Sequence, residues 1–152
     1  MANYFNTTVG NLVYRLRRFD KVLKEELADE ILGNEHIILD MIHAQLQQGE
    51  DGNGKEIQPP YTSGTVKRKI RRGLPHDRVT LKDTGNFYSS LYLEMDDDGF
   101  YVTSDDPKLM NILTKKYGKP ILRLSNEHLT QLLNERIRPS LTKKLQAYIQ
   151  NG

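Results

Sequence analysis

Six consecutive residues, Lys67-Arg68-Lys69-Ile70-Arg71-Arg72, carry five cations. At this density Lys and Arg can neutralise several phosphates of a nucleic acid or meet an acidic protein surface. A helix would spread the charges around its circumference rather than gather them on one stripe. Tyr61 lies upstream, without the aromatic signature of an RNA-recognition sheet. His36, Asp40 and His43 recur at i, i+4 and i+7, on one helical face, with residue types that ligate metals. No fourth ligand accompanies them, and their face lies opposite Ile38, Met41 and Ile42, so an exposed polar surface is expected. Asp96-Asp97-Asp98 and Asp105-Asp106 offer oxygens suited to calcium or magnesium. Their spacing is not that of an EF-hand, and Asp97-Asp98-Gly99 has the chemistry of a hairpin turn. Gly49-x4-Gly54-Lys55 matches most of a phosphate-binding loop, yet Glu56 stands where Ser or Thr would hold magnesium. A helix precedes that loop, and Pro59-Pro60 blocks the helix that should follow. No serine or histidine sits in a nucleophile-elbow context. These readings predict no catalytic set, no metal and no cofactor.

The elements around these residues follow from periodicity. Val9, Leu12, Leu16, Phe19, Leu23, Leu27 and Ile31 recur at helical steps and predict an amphipathic helix. Gly33-Asn34 marks a cap or kink, and Ile38, Met41, Ile42 and Gln45 carry a second helix to about Gln47. Gly49 to Gly54 is a loop, and Pro59-Pro60 keeps the next residues extended. Thr65 to Arg72 reads as a short helix capped by Ser63 or Thr65. Asp83-Thr84-Gly85 is a turn opening a short helix or strand. Leu91 to Met95 and Phe100 to Thr103 form a hairpin, with Leu91, Leu93, Met95, Phe100 and Val102 facing inward. Leu109 to Lys116 is a helix closed by Gly118, and Ile121 to Leu124 a brief extended piece. Ser125 opens a final helix that keeps phase across Pro139, as a kinked helix or two stacked ones. The expected class is α+β: long N- and C-terminal helices around a small antiparallel hairpin or sheet. Residues 1–152 form one domain, helical over 1–48, loop-rich with the basic segment over 49–85, β-rich over 86–124 and helical over 125–150.

Of the 152 residues, 37% are apolar and 28% charged, which suggests surface left for partners. With no cysteine there is neither disulfide framework nor thiolate zinc site, and a reducing compartment is expected. Met1 to Gly10 lacks a basic and an apolar signal region, and no run is long enough to span a membrane. The net charge of +2 conceals blocks of −4 over 1–64, +6 over 65–82, −7 over 83–106 and +7 over 107–152. Such blocks can pair within one fold or between copies of it, or can be solvated faces.

The order of weak motifs along the chain resembles the phage virion morphogenesis, or tail-completion, family. A G-x-G-K turn is met by Gly52 to Lys55, and Pro59-Pro60-Tyr61 stands at the W/P-rich patch. The T…K basic segment is met by Thr65 to Lys69. A further signature is carried by Leu81, Asp83, Thr84, Gly85, Phe87 and Ser90. A hairpin follows, then Tyr117-Gly118, then Arg123, Leu124, Ser125, Glu127 and Leu129. The chain departs from the family in lacking the tryptophan and in reducing Y-A-x-x-H-x-x-G to Lys116-Tyr117-Gly118. The resemblance implies a non-enzymatic structural protein that completes the tail or joins it to the head of a tailed phage. It would act as a ring of copies among other neck or tail proteins, in the virion after assembly in the host bacterial cytoplasm. Lys67, Arg68, Lys69, Arg71 and Arg72 are then the expected interface or DNA contact. The competing class is a basic, non-specific nucleic-acid-binding adaptor. A hydrolase would require convergent titratable groups that the sequence does not display.

Overall fold

A computed structural model describes residues 8–151, so the reading of the extreme N-terminus lies outside it. The apolar stripe of the first segment folds as helix α1, Thr8–Gly33, of 26 residues. Asn34 breaks it: its side-chain amide donates to Glu30 O at 2.8 Å, and its N–H donates to Ile31 O at 3.1 Å. Helix α2, Glu35–Gln48, then threads the centre of the molecule, with Ile38, Ile42 and Leu46 fully buried. Gly49 ends α2 at φ +78°, and the bonds Gly49 N–H to Leu46 O and Glu50 N–H to Gln45 O form a Schellman closure. Left-handed backbone is why a glycine stands there.

The Gly49 to Lys55 segment is a tight surface turn closed by Asp51, whose carboxylate accepts the N–H groups of Asn53 and Lys55. Gly52 approaches Arg123 so closely that a Cβ would lie 2.6 Å from the Arg123 carbonyl oxygen. Helix α3 spans Ser63–Arg71, and its cap is Thr62, one residue before the expected Ser63, because the Thr62 hydroxyl accepts the Thr65 N–H. Residues 79–81, all buried, form a strap without regular secondary structure. The short helix α4, Asn86–Ser89, leads into the antiparallel pair β1, Leu91–Asp96, and β2, Gly99–Ser104. Leu93 faces Val102 and Met95 faces Phe100, so the inward face is the expected one. The turn is Asp97-Asp98, and Gly99 is already paired with Asp96.

Most of the remainder of the 86–124 stretch, expected to be β-rich, is helical. Helix α5 is Pro107–Tyr117, and a 3-10 turn covers Lys119–Leu122 where an extended piece was expected. Pro120 fixes φ in that turn, and Ile121 and Leu122 are drawn into the core. Helix α6, Asn126–Leu132, is capped by Ser125, whose hydroxyl accepts the His128 N–H at 3.2 Å. A π-helical turn, Leu133–Ile137, joins it to α7, Arg138–Asn151. This wider turn lets the helix run on past Pro139, which lacks an N–H to donate. The class is α+β, mostly helical, with one two-stranded sheet. No described helix is long and apolar enough to cross a membrane.

Candidate functional site

The strap at 79–81 organises a cleft beneath α3. Val79 and Thr80 are buried, and Leu81 is buried at φ +55°, a backbone state costly for a side chain of its size. Two phenols hold it. The Tyr61 hydroxyl accepts the N–H groups of Thr80 and Leu81 at 3.0 and 3.1 Å. From the other side the Tyr88 hydroxyl donates to Thr80 O at 2.6 Å. Burial, with a smaller contribution from Tyr61, pushes the Tyr88 phenol well above its ordinary pKa, so it stays a donor. His43 stacks on the Tyr88 ring, centroids 4.6 Å apart, with Nε2 3.1 Å from Tyr88 O. A carbonyl can only accept, so Nε2 carries the proton. His43 is thus a packing and positioning group, while His36 and Asp40 remain exposed. Among the described residues no three His, Cys, Asp or Glu side chains lie close enough together to hold a metal.

Lys69 overturns part of the expected contact surface. Its side chain is only 3% exposed, whereas the adjacent Ile70 is 53% exposed. The ammonium lies 4.7 Å from the centroid of Tyr61 and donates to Lys82 O at 2.6 Å. The phase set by the Thr62 cap turns residue 69 towards the strap, and its long apolar stem can be buried there with the charge satisfied at its tip. Lys69 therefore ties α3 to the strap and is not available to DNA or to a partner. Arg72 is committed as well: its guanidinium pairs with the Asp83 carboxylate and donates to Asp83 O at 3.1 Å. Lys67, Arg68 and Arg71 remain exposed and form no ion pair among the described residues.

Below Asp83 the chain turns through Thr84 and Gly85. The Thr84 hydroxyl accepts the Asn86 N–H at 3.3 Å, and Gly85 adopts φ +96° with nothing within 4 Å of a would-be Cβ. Backbone conformation, not crowding, is what calls for glycine here. Ser90 lies beneath, buried, donating to Phe87 O at 2.8 Å and sharing a 2.7 Å bond with Ser104 at the hairpin base.

The outcome is an open cleft of about 360 Å³. Tyr61, Thr65, Lys69, Leu81, Asp83, Thr84, Gly85, Phe87 and Tyr117 all line it. The motif residues, separated by up to 56 positions in sequence, thus meet at one place. Lys55 stands apart on its turn, Ser90 lies under the cleft, and Gly118 takes φ +85° at the end of α5. Arg68, Lys82 and Lys116 add cations to the rim, against Asp83 and Asp106. Such a surface can hold an acidic group by charge. Sequence reasoning gave no role to Tyr88 or Thr80 and set His43 on an exposed face, because the His43–Tyr88 contact joins positions 45 residues apart. It also took Gln45 for part of the apolar stripe. Gln45 is a buried hub, donating to Arg123 O at 2.7 Å and accepting the Ser125 N–H at 2.9 Å. A glutamine at an inward helical position was the available signal, since a buried amide needs partners.

Comparison of the chain with protein-family models, with curated proteins and with solved structures gave no match.

Proposed function

We propose that this chain is a structural virion-assembly protein of a tailed bacteriophage, completing the tail or joining it to the head at the neck. The observation that carries the reading is the convergence of the motif residues on the cleft under α3. They hold one another through Tyr61, Lys69, Arg72 and Asp83 and leave one basic helical face outward. A group of residues that shapes and braces a surface, with no reacting pair in it, suits a docking role more than a chemical one. Its partners on this reading are other neck or tail proteins, and copies of itself in a ring.

The test is the triple reversal Lys67→Glu, Arg68→Glu and Arg71→Glu. All three side chains are exposed, so the folded monomer should melt within a few degrees of the parent. Like charges would then face each other across the contact, and the variant should be missing from purified particles, with infectivity lost. Normal incorporation and titre would remove the segment from the mechanism. The same three exposed cations also favour a second reading, a non-specific DNA-binding adaptor. That reading requires binding of generic duplex DNA that falls steeply with salt, and loss of about one unit of salt slope per cation removed.

A further inference from the structure

Helix α1 outruns its support. Its C-terminal half packs on α2 and α7: Glu30 accepts from Ser140 and pairs with Lys144, which also pairs with Glu26. Phe19 reaches Tyr148, with ring centroids 6.4 Å apart. Beyond Phe19 the same apolar stripe continues without cover. Leu12 and Leu16 are 57% and 58% exposed, and Ile149 on the facing end of α7 is 65% exposed. These residues form one open groove at the end of a two-helix arm. Between Gly10 and Phe19 the arm carries Arg15, Arg17 and Arg18 and no acidic residue, and among the described residues none of the three forms an ion pair.

The hairpin presents the opposite chemistry. Tyr92 and Tyr101 stand on its outer face at 36% and 44% exposure, both donating to Glu94. Asp96, Asp97 and Asp98 follow at its tip, exposed and without an ion pair among the described residues, and no Lys or Arg occurs from 83 to 106. One molecule cannot join these two surfaces. The C-terminal end of α1 leads into α2, whose Glu35 accepts the Leu93 N–H of the hairpin at 2.8 Å. Leu12 lies about 30 Å away along the helix axis, at 1.5 Å per residue.

We infer that the arm tip of one copy docks on the hairpin face of a second copy, leucines against tyrosines and arginines against aspartates. Two arm tips packed on each other would bury the same stripe, but would set three arginines against three arginines. The contact joins two different surfaces, so a joined pair retains one free donor and one free acceptor surface, the arrangement that closes into a ring or runs on as a filament. The inference rests on the assembly reading for its biological setting, while the contact itself is measured on purified protein, so either can fail alone.

Sedimentation equilibrium of the full-length chain is the test. The parent should associate beyond the dimer, more weakly as salt rises. Arg15→Glu, Arg17→Glu and Arg18→Glu together should weaken association about tenfold or more, and so should Asp96→Lys, Asp97→Lys and Asp98→Lys together. A one-to-one mixture of the two variants should regain assembly with the two chains alternating, because each arm then meets an oppositely charged hairpin of the other variant. A chain carrying all six reversals should regain the parent's assembly. Circular dichroism should show unchanged folds, since every altered side chain is exposed. A parent that is monomeric at about 100 μM, well above the micromolar range of specific contacts, would overturn the inference. So would undiminished association of the hairpin variant, or a parent that binds anionic phosphatidylglycerol vesicles instead of itself.

Discussion

The middle of α2 and the outer half of α1 carry the same apolar period and meet opposite fates. Ile38, Ile42 and Leu46 are wholly buried, while Leu12 and Leu16 are more than half exposed. Helical periodicity specifies a face; it does not supply what covers the face. Around α2 the strap, the hairpin and the 3-10 turn close from several sides. Among the described residues it is α7 that lies against the outer half of α1, and a single partner helix covers only part of a stripe this wide. One region is thus a core that defines the fold, and the other is a surface with an interface's composition.

Paired truncations break this comparison most directly. Ile42→Ala should cost about 2–5 kcal/mol, because it removes buried methyl groups and leaves a cavity. Leu16→Ala, measured by urea unfolding at a concentration where the chain is monomeric, should stay within about 0.5 kcal/mol. Equal losses would mean that the arm tip is covered after all. A smaller effect sharpens the account of the cleft. Tyr61→Phe keeps the ring under Lys69 but deprives the Thr80 and Leu81 amides of their acceptor, a loss of about 1–3 kcal/mol. An unchanged denaturation midpoint would show that the strap does not need Tyr61.

The smallest effect lies at the base of the arm. Hydrogen bonds from Lys144 and Ser140 hold the Glu30 carboxyl below its usual 4.5. The unfolded chain therefore takes up this proton first as pH falls. The stability contributed by Glu30 is complete above about 4.5 and disappears as pH drops through the lowered native value. Thermal melts of Glu30→Gln against the parent should differ at neutral pH and converge in acid. A gap that is constant from pH 7 to pH 3 would exclude the ionised carboxylate as its source.

Local signals were legible wherever the physics is local. The Ser125 cap needs only a hydroxyl three residues before an N–H, and the hairpin register needs only period-two alternation around Asp97-Asp98. Gly85 and Gly49 stand out because positive φ penalises every other side chain. The extended reading of Ile121 to Leu124 failed because Pro120 and a demand for buried volume outweighed the β preference of two short apolar residues. The cap at Thr62 was missed among adjacent hydroxyl residues that compete on nearly equal terms.

Composition and periodicity alone settle the α+β class, the long terminal helices, the hairpin and the segregation of charge along the chain. They do not reveal that Lys69 turns inward while Ile70 turns out, nor that Leu81 bends through left-handed backbone under two phenols. Nor do they reveal that residues from Tyr61 to Tyr117 share one cleft while Leu12 and Leu16 are left bare. Helical phase and strand alternation are properties of neighbouring residues, whereas burial depends on which distant segments arrive against a face. That arrival is settled by packing the whole chain around α2, where a charged side chain is accepted if its tip finds a carbonyl and a ring, and a leucine stays exposed if nothing reaches it.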